Sequence, residues 1–494
     1  MDVAADDPQR RRLPPLDLLM CAVLIAGTLT AVLARMFSHV LHLSIDDWTY
    51  TVWGQAITDG RRPSLEYLLT APKPLAYALG VVAAPFRPGY GIAVEIAIFG
   101  AVLVAAIAIT VRQKVGFLGV PAALGFLAFT KGFRYNTQYG AADLVSAAMV
   151  VSALAVRGRW RVGLLVGAGL LRPEVWPVAA LAGFLETSGT RPRRLIAGGL
   201  AGLMAPTVWA LTDVAANGRP FMFLVVAQRD GTFSGSTTPS LGSSLHGFYH
   251  ALSGNVGLLA VALGIAGLIF QAVRDHHAGH FDPLPVATVS ILAAGVSAEL
   301  WQGLPSYPRY TTSITALLLV GVGWLAGAVV PRADGWLAGT LATTASVLMI
   351  GFAVLFHPVS YAYHRPPHIE RALPAIKQAR VCGTISVAGR VHKRNPILSM
   401  LAALGRIPLT TFSPIQDGAW RNSGAILRVK PRAGHPPLNP TLSPLFQEGR
   451  SWELVDTSAG QLWLTEACVK RGGLVPGARP TSVSVGTNAD RTSL

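Results

Sequence analysis

Apolar residues fill block after block of this chain with no polar period, and the segments between the blocks are short and carry arginine, proline and glycine. A run of about 18 or more apolar residues reads as a membrane-spanning helix. The first run covers residues 16–40 and follows Arg10, Arg11 and Arg12. At about 25 residues it is long enough to span, and no small-residue cleavage site precedes the next loop, so it reads as a retained first helix with a cytoplasmic N-terminus rather than a signal peptide. Further runs cover residues 91–111, 116–130, 142–156, 162–185, 195–214, 256–273, 284–303, 311–330 and 336–356.

One run is interrupted by Leu171-Arg172-Pro173-Glu174. Proline flanked by two charges does not suit the middle of a straight span, so the pattern predicts two short helices meeting at the outer surface. Residues 74–86 read as an interfacial or re-entrant helix. With these assignments the basic clusters fall on one face: Arg10 to Arg12, Arg112 with Lys114, Arg157 with Arg159 and Arg161, Arg191 with Arg193 and Arg194, Arg274, and Arg332. Asp46, Asp47, Lys73, Lys131, Arg134, Arg172, Glu174, Arg229, Arg309 and Tyr310 fall on the other. About eleven crossings then put the C-terminus outside. The rival assignment, with residues 74–86 spanning and Arg172 buried, scatters arginine over both faces.

Composition agrees with a polytopic membrane protein. The 494 residues are 51% hydrophobic and only 13% charged, and the mean hydropathy is +0.45. The net charge of +16 is topogenic rather than a nucleic-acid footprint, because much of it sits in short inter-helix loops. Past residue 358 the character changes to mixed charge, proline and short apolar runs, predicting a small α/β domain over 359–472, with a polar tail over 473–494 expected to lack order. Residues 1–15 form the N-terminal tail, and 41–73 and 215–254 are the long external loops of the membrane domain at 16–358. Of three cysteines, Cys382 and Cys468 bracket the C-terminal domain. Export of that domain makes a disulfide between them one reading and two buried thiols the other.

The first external loop carries the candidate chemistry. From Ile45 to Gly60 it reads as a short helix with carboxylates at its start, an aromatic face including Tyr50, and a glycine stop. Capping explains one aspartate. Consecutive residues do not share a helix face, so the second needs its own role: one as general base on an acceptor hydroxyl, its neighbour orienting the acceptor or a metal. His246 and His250, four apart, share a helix face but have no third metal ligand in view.

Asp46-Asp47-Trp48-Thr49-Tyr50, followed by Ala71-Pro72-Lys73-Pro74-Leu75-Ala76-Tyr77, resembles the first external loop of the GT-C membrane glycosyltransferases. The likeness is to the protein O-mannosyltransferase, aminoarabinose transferase and arabinofuranosyltransferase-like branches, with Leu75 in place of the second proline of their lysine-proline-proline-leucine element. The resemblance implies a GT-C-like all-α bundle that takes a sugar from a polyprenyl-phosphate donor. It implies Asp46 as catalytic carboxylate with Asp47 its partner, and Lys73 at the donor phosphate. Leu171-Arg172-Pro173-Glu174 and Tyr307-Pro308-Arg309-Tyr310 resemble other GT-C elements and add Arg172, Arg309 and Tyr310 as phosphate-binding candidates, with helix capping and interfacial anchoring as the competing readings. Tyr50, Arg134, Glu174 and Arg229 are candidates for lining the substrate cavity. The expected partners are the lipid donor, a glycan, lipid or protein acceptor, and the bilayer, with no nucleic acid. The residues establish no cofactor and leave two sources of charge open, a divalent cation at Asp46 and Asp47 or the lysine and arginines themselves. A transporter or lipid-glycan flippase, or a non-catalytic scaffold, are the rival classes; no internal repeat supports the first.

Overall fold

The computed structural model describes residues 15–38, 45–63, 73–86, 89–139, 142–222, 224–225, 240–279, 281–301, 308–329, 335–357, 376–377, 385–388, 402, 412–414, 425–429, 452–457, 460–465 and 481–483. The chain divides into two compact units: Met1–Leu43, Ala71–Leu79 and Gly89–Tyr361 form one, and Ser44–Thr70, Gly80–Pro88 and Ala362–Leu494 form the other.

The first unit is helical. Its elements are α1 (Pro15–Ser38), the start of α3 (Pro74–Ala83), α4 (Tyr90–Val115), α5 (Gly119–Phe129), α6 (Lys131–Tyr139), α7 (Ala142–Ala155), α8 (Arg159–Gly169), α9 (Trp176–Glu186), α10 (Arg191–Asn217), α11 (Leu241–Val256), α12 (Leu258–His277), α13 (Leu284–Trp301), α14 (Thr312–Val329) and α15 (Trp336–Phe356). Among the described residues six helices, α1, α4, α10, α12, α14 and α15, have the length and composition of membrane spans, and α3, α5, α7 and α13 are shorter and apolar. A count of eleven crossings therefore requires α5, α7, α8, α9 and α13 to cross as well, with α3 left at the interface. The outward faces are greasy: Leu195, Ile196, Leu200, Leu203 and Leu211 of α10 are all exposed, as a helix against lipid requires. The chain is a multi-pass membrane protein.

The interruption at 171–174 breaks the helix as expected. Two indoles, Trp176 Nε1 at 2.9 Å and Trp209 Nε1 at 3.0 Å, donate to the Gly169 carbonyl at the end of α8, satisfying an acceptor that the helix itself leaves unpaired. A short 3-10 turn, Pro173–Val175, then leads into α9. The two helices form an antiparallel hairpin, because Arg161 at the start of α8 pairs with Glu186 at the end of α9 at 2.7 Å. Asp282 lies 3.2 Å from the same guanidinium, and Arg161 Nε donates to the Ala153 and Val156 carbonyls. Nearby basic residues are also paired, Lys114 with Asp275 at 2.7 Å and Arg112 with Asp17 at 3.3 Å.

Helices α12 and α14 meet through glycine. A Cβ on Gly267 would stand 1.9 Å from the Gly321 carbonyl oxygen, and one on Gly321 would stand 2.2 Å from that of Gly264. Backbones this close are the small-residue packing expected where lipid supplies no hydrophobic drive between helices. Two helices lie where the sequence pattern suggested only loop: α6, and α11, which occupies the end of the 215–254 segment. Helix α11 starts with a capping box in which the Ser240 hydroxyl accepts from the Ser243 N–H at 3.1 Å.

In the second unit, α2 (Ile45–Thr58) ends in a Schellman turn: Gly60 has φ +69°, its N–H reaches the Ile57 carbonyl, and Arg61 N–H reaches the Ala56 carbonyl. The C-terminal strands β1 (Ile385–Ala388), β2 (Phe412–Pro414), β3 (Ala425–Val429), β4 (Trp452–Thr457), β5 (Gly460–Thr465) and β6 (Thr481–Val483) form one mixed sheet in the order β2-β1-β3-β5-β4-β6. Strands β2, β1 and β3 run parallel, and the rest pair antiparallel. Strand β6 lies in the segment expected to lack order, where Thr481 to Val483 add an edge to β4. The cysteines Cys382 and Cys468 lie outside the described residues.

Candidate functional site

Asp46 and Asp47 both fall in the first turn of α2, where carboxylates are favoured by the helix dipole. Their surroundings differ as consecutive helical positions must. Asp47 is buried at 2% exposure and Asp46 is half-buried. The aromatic face is inward, with Trp48, Tyr50 and Trp53 buried and the Tyr50 and Trp53 rings 5.8 Å apart. The helix is held against the segment after Leu79 by glycine contact: a Cβ on Gly54 would stand 1.9 Å from the Gly80 carbonyl oxygen.

In the helical unit, the start of α3 and the α8–α9 break lie together. Leu75 N–H donates to the Leu170 carbonyl at 3.5 Å, which sets the Lys73-Pro74-Leu75 turn beside the turn that carries Arg172. Tyr77, one turn into α3, has its hydroxyl close to Asn217 and Asp213 of α10. Lys73 itself is half-buried.

Arg172 is the centre of a buried charged cluster. Its Nη2 donates to Asp143 Oδ1 in the first turn of α7, its Nε lies 3.8 Å from Glu174 Oε1, and its guanidinium carbon sits 4.8 Å from the centre of the Tyr310 ring. The three charged side chains are 5–8% exposed. An isolated charge at such a place is costly, and pairing offsets the cost. Tyr310 belongs to a 3-10 turn, Pro308–Thr311, that opens into α14. Arg309 is in the same turn, and its side chain lies outside the described residues. Asp143 was not singled out from the sequence as a site residue; the signal available was an acid at the head of an otherwise apolar run, which reads equally as a helix cap.

A second polar group borders α6. Asn136 donates to Thr312 Oγ1 at 3.2 Å, and Asn255 donates to Thr311 and Thr315 at 3.2 and 3.0 Å while accepting from Gly132 N–H. Arg134 reaches the His357 carbonyl at 3.3 Å, and burial lowers the pKa of its guanidinium. Arg134 is thus placed at the end of α15 rather than among the Arg172 group. Arg229 lies outside the described residues. His246 and His250 do share a face of α11, with ring centres 6.1 Å apart; among the described residues no group of three or more His, Cys, Asp or Glu is arranged to hold a metal ion.

The GT-C-like fold expected from the sequence is shared with a solved structure. The chain is similar to ArnT from Cupriavidus metallidurans, whose crystal structure is bound to undecaprenyl phosphate, with a TM-score of 0.51 at 13% identity over 91% of this chain and 97% of that one. A second similar structure is the archaeal oligosaccharyltransferase AglB from Archaeoglobus fulgidus in complex with an inhibitory peptide and a dolichol-phosphate, with a TM-score of 0.45 at 11% identity over 94% of this chain and 75% of that one. No protein-family model and no curated protein sequence matches the chain.

Proposed function

We propose that this chain is a membrane glycosyltransferase that moves a sugar from a polyprenyl-phosphate carrier to an acceptor hydroxyl of a cell-envelope glycan, lipid or protein at the outer membrane face. The observation that carries the proposal is the fold shared over nearly the whole of both chains with ArnT in its undecaprenyl-phosphate complex. In this reading the acceptor oxygen attacks the anomeric carbon while its proton passes to Asp46. The bond from that carbon to the carrier phosphate breaks with its electron pair staying on the phosphate oxygen, so one displacement inverts the anomeric centre. Asp47, buried under the same helix turn, orients the acceptor or its neighbour. Lys73, with Arg309 and Tyr310, stabilises the charge that develops on the leaving phosphate, and Arg172 supports the Tyr310 ring from the α8–α9 break. A divalent ion at Asp46 and Asp47 is the alternative source of that charge, and loss of transfer in EDTA with recovery on added Mg²⁺ or Mn²⁺ distinguishes the two.

The topology that fits this chemistry has the N-terminus cytoplasmic and the C-terminal domain outside. It is supported by the hairpin of α8 and α9 and by the way Arg112, Lys114 and Arg161, all in the expected cytoplasmic clusters, find their acids at helix ends.

Transfer of radiolabelled sugar from a panel of polyprenyl-phosphate donors into a cell-envelope extract, by the purified chain in nanodiscs, tests the proposal. Asp46→Asn is expected to lower the rate by about 10²–10⁴-fold, the usual worth of a general base, with expression and thermal unfolding unchanged. Lys73→Ala is expected to act mainly on donor KM. Full activity in Asp46→Asn removes that residue from catalysis, and absence of transfer from every donor by the folded wild type turns the assignment toward transport or scaffolding.

A further inference from the structure

Two acids share Arg172 unequally. Two carboxylates, Asp143 and Glu174, face one guanidinium, and all three side chains are over nine-tenths buried. Asp143 takes the Nη2 donor. Glu174 turns Oε1 toward Nε at 3.8 Å, too long for a hydrogen bond. Its other oxygen, Oε2, is buried and receives no hydrogen bond from any described residue. Buried carboxylate oxygens left unpaired are rare and costly, so such a group marks a missing partner.

The chemistry of that partner is constrained. A carboxylate only accepts, so the partner must donate. A phosphodiester oxygen has no proton to donate, so it does not fit, and a hydroxyl does. Space for Glu174 is made on purpose at α13. A Cβ on Gly295 would stand 2.4 Å from Glu174 Cβ, so the carboxylate can hold its place only because residue 295 has no side chain.

We propose that Glu174 is a sugar-reading residue: its Oε2 accepts a hydrogen bond from a hydroxyl of a substrate sugar, placing a sugar subsite rather than a phosphate subsite at the Leu171-Arg172-Pro173-Glu174 turn. This rests on the glycosyltransferase reading above. Arg172 then acts as the fixed counter-charge that holds Glu174 in place, and the carrier phosphate is left to Lys73 and the Pro308–Thr311 turn. The hydroxyl belongs either to the sugar being transferred or to an acceptor sugar.

Binding separates these readings without relying on turnover. The full chain in nanodiscs is titrated with undecaprenyl phosphate alone, and with undecaprenyl-phosphate hexoses and pentoses together with their singly deoxygenated analogues. Glu174→Gln is expected to bind bare undecaprenyl phosphate within about twofold of wild type. It should lose about 10–100-fold for the glycosylated carrier, as a hydrogen bond to a charged group implies, and the loss should disappear with one deoxy analogue only. Glu174→Asp, which keeps the charge but shortens the reach, gives the same sugar-confined loss if the Gln variant fails to fold. Gly295→Ala gives it by displacing the carboxylate. A loss confined to acceptor KM, again cancelled by one deoxy acceptor, supports the subsite and assigns the hydroxyl to the acceptor. Equal weakening of bare and glycosylated carrier, or a loss that no deoxy analogue cancels, or no loss at all, overturns the proposal. Those results with a wild type that binds and transfers leave the glycosyltransferase reading standing; a wild type that binds no carrier overturns both.

Discussion

Arg172 sits where a membrane protein can least tolerate a lone charge, and Asp143 makes its position stable. Deleting one partner of a buried pair leaves the other charge uncompensated and typically costs about 3–5 kcal/mol, whereas replacing both by apolar residues of similar size is often neutral. Asp143→Leu is therefore expected to lower the thermal unfolding temperature in detergent, and Asp143→Leu combined with Arg172→Met should recover most of the loss. Equal additive losses would mean that the two side chains stabilise the fold through separate contacts. The sequence points to Arg172 and Glu174 because they flank a proline that interrupts an apolar run, with capping as the equal rival. Asp46 and Asp47 stand out because they open the loop after the first apolar run, and α2 forms with the expected carboxylate start and glycine stop. Asp143 and the Tyr310 ring were not tied to Arg172, because the pairing joins residues 29 apart in one case and well over a hundred apart in the other. No local period encodes such a meeting.

At the scale of elements, apolar length predicted the ends of the long helices to within about four residues, and the break between α8 and α9 followed from Pro173. The helices that escaped, α6 and α11, are polar enough on one side to pass for loop. Helix α6 mixes Lys131, Arg134, Asn136 and Gln138 with buried Phe133 and Thr137, and what keeps it helical is tertiary: Asn136 to Thr312 and Gln138 to the end of α15. Helix contacts are likewise invisible to composition until the glycines are mapped. Gly267→Ala forces apart the α12–α14 backbones and is expected to destabilise by about 1–3 kcal/mol. Gly163→Ala, on the exposed face of α8 with nothing within 4 Å of the new methyl, is expected to be neutral or to stabilise by up to about 1 kcal/mol. Thermal unfolding of the two variants side by side checks whether close approach, rather than glycine content as such, holds the bundle.

For the whole molecule the decisive question is which end of the helical unit faces the cytoplasm. Paired charge gathers near the helix ends that carry Arg112, Lys114 and Arg161, whereas the buried Arg172 group lies at the other end of α8. Lys and Arg beside helix ends in short loops favour the side that stays in the cytoplasm whatever acids they meet, so the placement of Arg112, Lys114 and Arg161 fits that side. Lys131 is the exposed first residue of α6 and Ser188 lies on an exposed turn; α6, at 9 residues, is too short and polar to cross, which leaves α7, α8 and α9 as the crossings between them. Three crossings put them on opposite sides of the membrane, whereas a single continuous span over residues 159–186 would put them on the same side. In a background with Cys382 and Cys468 replaced by serine, Lys131→Cys is expected to react with a membrane-impermeant maleimide in intact spheroplasts, and Ser188→Cys only after lysis. Labelling of both from outside would restore the continuous span and bury Arg172 in mid-bilayer. Labelling of Ser188→Cys alone would invert the protein, carrying the Arg172 cluster and its sugar subsite to the cytoplasmic face, where a donor presented at the outer leaflet never arrives.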